Sequence, residues 1–126
     1  MDSKQTAVLA ARAIDQKKGT NVTVLKLEDL TILTDFFVVA TGGSRVQTQA
    51  MSDAVEEALE ANGLRAGRRE GYGEGRWILL DYGTVIVHVF QEDERGFYNL
   101  ERLWADAPAL TREEVFGEEA FGADRQ

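Results

Sequence analysis

The chain has no cysteine, one histidine and one proline among 126 residues. Without cysteine there is no disulfide, no thiol nucleophile and no thiolate-ligated metal. A single histidine then leaves a zinc site short of ligands. Positive charge is also scarce: 14 Lys and Arg against 22 Asp and Glu give a net charge of −8. Such a surface is repelled by phosphate backbones, which argues against direct nucleic-acid recognition. It would instead attract and steer a basic protein partner. No apolar run approaches the roughly 20 residues that span a bilayer, so no membrane association is expected. Met1–Gln5 reads neither as a secretion segment nor as an Arg-rich presequence, and the expected compartment is the cytoplasm.

What is present fits one α/β domain. A chain of this length buries roughly two thirds of its unfolded surface on folding. Ser3 can cap a first helix to about Lys18, with Val8, Ala11 and Ile14 at helical spacing and Gly19 as the stop. Val22–Leu27 reads as a strand, and Leu30–Leu33 as a short connector. Phe36–Thr41 is a continuous apolar run, as in a strand buried on both faces. Gly42-Gly43 breaks it. Ser44 and Gln47 then have capping-box spacing, ahead of a helix with Val46, Ala50, Met51, Ala54, Val55, Ala58 and Leu59 on one stripe. Asn62-Gly63 ends that helix. Arg65–Gly75 begins as a short strand or loop, and its glycine-rich end reads as a flexible turn. Arg76–Leu80 and Thr84–Phe90 are two more strands, and Glu94–Trp104 is a last helix. From Asp106 onward six acids meet two bases, and the segment 106–126 is expected to be a mobile acidic tail. The domain proper is then 1–105, a mixed sheet covered by helices.

The hairpin can be read face by face. With Tyr82-Gly83 at the turn centre, Trp77 pairs with His88 and Ile78 with Val87. Faces alternate along each strand. Ile78, Leu80, Val85, Val87 and Val89 form a purely aliphatic face that must be core. Trp77, Leu79, Asp81, Thr84, Ile86, His88 and Phe90 form an amphipathic one. Either helices cover this second face, or it stays open and binds a partner through residues of the hot-spot type.

Catalytic chemistry is not indicated. His88 has no acid close enough to orient it, because Asp81 lies about two pair-steps away. Gly71-Tyr72-Gly73-Glu74-Gly75 is not followed by a helix and is flanked by acids, unlike a phosphate loop. Thr41-Gly42-Gly43-Ser44 does join a strand to a helix and could hold an anion. That element resembles the Gly-Ser motif of nucleotidyltransferases. Their Asp-x-Asp pair occurs nowhere in this sequence, so no magnesium site and no phosphoryl transfer are expected. No catalytic residue, metal or cofactor is assigned.

Four blocks carry a more specific resemblance. They are Thr34-Asp35-Phe36-Phe37-Val38-Val39-Ala40-Thr41-Gly42 with Ser44-Arg45; Glu70-Gly71; Trp77 to Gly83 with Val87-His88-Val89-Phe90; and Arg95 with Phe97 to Trp104. In order and spacing these resemble the ribosomal silencing factor family, also called Iojap-like, from about Ala7 to Trp104. The resemblance implies a nucleotidyltransferase-like scaffold without that activity. It implies binding to the large ribosomal subunit through ribosomal protein number fourteen of that subunit. Occupying that surface blocks joining with the small subunit and represses translation. A homodimer is also implied, and the absence of a presequence points to a bacterial member. The partner-binding residues expected on this reading are Trp77, Leu79, Asp81, Tyr82, His88 and Phe90 of the hairpin, extended by Arg95, Tyr98 and Glu101 at three-residue steps along one helix face. A divergent nucleotide-binding protein and a purely dimeric scaffold are the alternatives.

Overall fold

The computed structural model describes residues 1–92, 100, 102 and 104–117. Chain order is α1 (Ser3–Gln16), β1 (Thr20–Lys26), β2 (Phe36–Gly42), α2 (Arg45–Glu60), β3 (Arg68–Glu70), β4 (Trp77–Asp81), β5 (Val85–Gln91) and a one-turn helix α3 (Arg112–Phe116). The strands form a mixed five-stranded sheet in the order β1-β2-β5-β4-β3. Only β2 and β5 are parallel; β1–β2, β3–β4 and β4–β5 are antiparallel.

Local chemistry sets the ends of the helices. Asp2, not Ser3, caps α1. Its carboxylate accepts from the Gln5 amide while the Gln5 side chain accepts from the Asp2 amide, a reciprocal capping box. In α2 only half of such a box forms. Ser44 Oγ accepts from the Gln47 amide, but Gln47 Oε1 turns to the Gly43 amide at 2.7 Å. The Gln47 Nε2 then donates to the carbonyls of Lys17 and Lys18, tying the start of α2 to the end of α1.

Both long helices pack on one side of the sheet. Ala7, Ala10, Ala11 and Ile14 of α1 and Met51, Val55 and Leu59 of α2 join Val38, Ala40, Ile78, Leu80, Val85, Val87 and Val89 in one buried cluster. The alanine stripe lets α1 approach closely. Burying a Val, Leu or Ile side chain contributes about 1.5–3 kcal/mol, so this cluster contributes strongly to stability. Val46, expected on the apolar stripe of α2, is instead 73% exposed. It lies on the opposite side of the helix from the buried Thr48, Met51, Val55 and Leu59 and so faces away from the core.

The tail differs from the expectation of mobility from Asp106. Through Gly117 it is packed against β1 and α1. Lys26 N donates to the Pro108 carbonyl and Leu110 N to that of Val24, both at 2.8 Å, adding a short antiparallel bridge to the edge of β1. Arg12 then donates to the carbonyls of Val115 and Gly117 at 2.8 and 2.6 Å. Thr111 caps α3 through a capping box with Glu114, and Val115 enters the core. The acidic composition hid these anchors, because Val115, with Leu110 and Phe116 packed beside it, is a small apolar set among charged residues. The glycine-rich stretch is likewise a braced turn: Gln49 Nε2 donates to the Tyr72 carbonyl at 2.7 Å and the Tyr72 hydroxyl donates to Asp53 at 2.9 Å.

Candidate functional site

The side of the sheet away from α1 and α2 carries the residues of interest. In the observed register Trp77 pairs with Phe90, Leu79 with His88 and Asp81 with Ile86. This differs by two residues from the expected pairing, because the turn centres on Gly83-Thr84. Tyr82 N donates to the Val85 carbonyl at 2.9 Å, and Gly83 takes φ +82, a value glycine tolerates. Asp81 Oδ1 accepts from the Gly83 amide at 2.8 Å and so fixes this turn. An even slip keeps every side chain on its own face. The division into an aliphatic and an amphipathic face therefore stands.

β2 extends the amphipathic face. Its parallel pairing sets Phe37 beside Ile86 and Val39 beside His88. An aromatic cluster results. Phe37 meets His88 edge-on at 4.6 Å, Trp77 lies 5.0 Å from Phe90, His88 is nearly parallel to Phe90 at 6.3 Å, and Trp104 packs edge-on against Phe37 at 6.0 Å. Such ring pairs are worth about 0.5–1.5 kcal/mol each beyond burial.

Of the two alternatives for this face, coverage holds at His88 and Phe90 and openness at Trp77. Phe90 is fully buried and His88 is 3% exposed, while Trp77 keeps 40% of its surface in solvent. Trp77 is thus the most exposed ring of this cluster among the described residues. Its indole Nε1–H donates to His88 Nδ1 at 3.1 Å. The indole polar group is spent, so what Trp77 offers outward is ring surface. Nδ1 accepts, which places the imidazole proton on Nε2, and Nε2 is buried with no hydrogen-bond partner among the described residues. A buried orphan donor costs about 1–3 kcal/mol. Burial also pushes the His88 pKa down to about 4, so the ring is neutral at physiological pH. Through its bond to the indole N–H, His88 holds the Trp77 ring in place.

The other candidates separate. Leu79 and Ile86 are half-buried on the same face. The Asp81 carboxylate is engaged locally, with the Gly83 amide and, at 3.7 Å, Arg68. Tyr82 does not belong to the patch. By alternation it shares the side of Ile78 and Leu80, it packs against the helix-side core, and it lines a cleft of about 200 Å³ with Glu56, Glu60, Leu64 and Arg65. Burial, then Glu56 and Glu60, push its pKa up to about 12. Arg95, Tyr98 and Glu101 lie outside the described residues, as does most of the expected helix Glu94–Trp104; Leu100 and Arg102 are helical. Phe37 was not expected in this cluster, and Trp104, expected to face the core from the last helix, joins it through Phe37. Phe37 pairs with Ile86, and only its ring reaches across the register to His88, which strand alternation alone does not reveal.

The glycine-serine element at the start of α2 is filled by its own side chains. The Gly43 amide is taken by Gln47 and the Gln47 amide by Ser44, so these groups are not free to hold a phosphate. Among the described residues no group of three His, Asp or Glu could hold a metal ion, and no helix is long and apolar enough to cross a membrane.

The family model described as "Ribosomal silencing factor during starvation" matches residues 1–125. The chain belongs to this family. It is 40% identical to a ribosomal silencing factor of Halalkalibacterium halodurans over 115 residues, which is 91% of this chain and 98% of that protein. It is also 40% identical to a ribosomal silencing factor of Bacillus subtilis over 108 residues, covering 86% of this chain and 92% of that one. The fold agrees. A crystal structure of a Chromobacterium violaceum protein superposes with a TM-score of 0.79 at 34% identity, covering 83% of this chain and 88% of that chain.

Proposed function

We propose that this chain binds the large ribosomal subunit through ribosomal protein number fourteen of that subunit. By occupying a surface the small subunit needs, it blocks joining and represses translation in the cytoplasm. Steric exclusion requires no catalytic group, and the reading is of a non-enzyme. Its main support is membership of a family described as ribosomal silencing factors, together with the bared ring of Trp77 at the rim of a preorganised aromatic cluster. Aromatic rings with fixed geometry lose little entropy on binding and are typical interface anchors. A net charge of −8 favours a basic ribosomal protein over the surrounding RNA.

In this reading Trp77 makes the central contact and Leu79 flanks it. His88 and Phe90 hold Trp77 from behind, and Asp81 braces the turn. Arg95, Tyr98 and Glu101 extend the contact along the following segment.

The test is sedimentation of purified protein with isolated large subunits in low and moderate salt, followed by addition of small subunits. The protein should travel with the large subunit and lower the yield of joined ribosomes. Trp77→Ala should lose at least about tenfold in affinity, the loss of a central aromatic anchor, while its melting transition falls by several degrees but stays cooperative. A protein that stays at the top of the gradient at both salts defeats the proposal.

A further inference from the structure

We infer that the Leu30–Leu33 loop is a second anchor for the same partner, received by an apolar socket rimmed with Lys or Arg on a protein surface. This rests on the function proposed above and adds a contact that the aromatic cluster does not contain. Ile32 is fully exposed, Leu33 is 79% exposed and Leu30 46%. Single exposed aliphatics are ordinary, but three within four residues at one tip make an apolar knob of the kind found at interfaces.

The knob is built rather than loose. Leu30 N and Thr31 N both donate to the Leu27 carbonyl, at 2.8 and 3.0 Å, and Leu33 N donates to Thr31 Oγ1 at 3.1 Å. Leu27 is itself fully buried, and its amide donates to the Asp35 carbonyl at 2.8 Å. The loop is thus closed at its base and holds its side chains outward before any partner arrives, which lowers the ordering cost of docking.

Its position makes it continuous with the proposed contact. The amides of Asp35 and Phe36 donate to the Thr84 carbonyl, at 2.8 and 3.1 Å. The base of the loop therefore stands beside the β4–β5 turn, at the Asp81 end of the amphipathic face. Trp77 lies at the other end of β4, four residues and about 13 Å from Asp81. An interface of standard size, roughly 800 Å² per partner, can include both.

Charge selects the kind of socket. Glu28 and Asp29 flank the knob and share the one ammonium of Lys26, at 3.8 and 3.7 Å, and Asp35 follows. An apolar tip with an acidic collar complements aliphatic side chains ringed by basic ones. Phosphate backbone offers neither.

The experiment uses the intact protein and isolated large subunits in two arms. In the first, Ile32→Ser with Leu33→Ser is compared with the unaltered chain in the sedimentation assay. Both side chains face solvent, so the melting temperature should not change, and affinity should fall at least about tenfold. Unaltered protein that sediments, with a double variant binding within twofold of it, overturns this inference and leaves the proposed function intact. Unaltered protein that fails to sediment overturns both. In the second arm, a benzoylphenylalanine photocrosslinker at position 32 should label a ribosomal protein of the large subunit. A crosslink to ribosomal RNA, or to a second copy of this chain, overturns the inference.

Discussion

Replacing His88 by Phe should remove a pH dependence that the structure builds into folding. The neutral imidazole is buried, and its pKa stands at about 4 against an ordinary value of 6.5. Above pH 6.5 both folded and unfolded chains carry a neutral ring, and the stability due to this burial is fully present. As pH falls from 6.5 toward 4, the unfolded chain takes up a proton that the folded chain refuses, so stability is lost through that window. At about 1.36 kcal/mol per pH unit of displacement, the loss reaches roughly 3 kcal/mol below pH 4, and roughly 2 kcal/mol at pH 5. Protonation also turns Nδ1 from acceptor to donor, facing the Trp77 N–H that now bonds to it at 3.1 Å. Phenylalanine keeps the ring in the cluster, removes the orphaned Nε2–H and does not titrate. Urea unfolding followed by circular dichroism at pH 7.5 and pH 5 separates the two proteins. The unaltered chain should lose roughly 2 kcal/mol more than His88→Phe over that interval, with carboxylate effects common to both cancelling. Parallel profiles, or an imidazole resonance that titrates near 6.5 in the folded protein, refute the assignment.

Phe90→Ala should destabilise by about 3–5 kcal/mol in chemical denaturation, because the ring is fully buried and its loss leaves a cavity under Trp77. Gly71→Ala should cost at least about 2 kcal/mol: Gly71 has φ +80, and a Cβ there would sit 2.0 Å from the Trp77 carbonyl oxygen, so backbone must shift. Because that shift moves Trp77, subunit binding should fall with it. Arg12→Ala should speed hydrogen exchange at the amides of Lys26 and Leu110, since the guanidinium clamps the carbonyls of Val115 and Gly117 behind the strap that protects them. Unchanged exchange would mean that the strap holds without the clamp.

The division of the hairpin into two faces was legible because strand alternation has a period of two. Placing the turn at Tyr82-Gly83 rather than Gly83-Thr84 moved every partner by two residues and left each face intact. A slip of one would have inverted them. The helices were legible for a similar reason: alanine and aliphatic residues at helical spacing in α1 and α2 have no other way to be buried. What alternation cannot report is coverage. Whether His88 and Phe90 meet water depends on residues distant in sequence, such as Trp104 against Phe37, and on β2 lying parallel beside β5. The packed tail escaped for the same cause. Its docking depends on carbonyls and on Arg12, about a hundred residues away, and composition does not record backbone acceptors.

These two kinds of information meet at Trp77. The alternation pattern puts it on the amphipathic face, and the tertiary structure leaves it the exposed member of a buried aromatic cluster. A tryptophan at that position could have turned its indole N–H to solvent and acted as a hydrogen-bond donor to a partner. The bond to His88 removes that option and fixes the ring plane. In the function proposed above, recognition through Trp77 would then rest on ring area and shape, and its buried neighbours would act by holding the ring. Mutations at His88 and Phe90 should weaken binding by loosening Trp77, and their effects should not add to that of Trp77→Ala, as expected for residues that act through one contact.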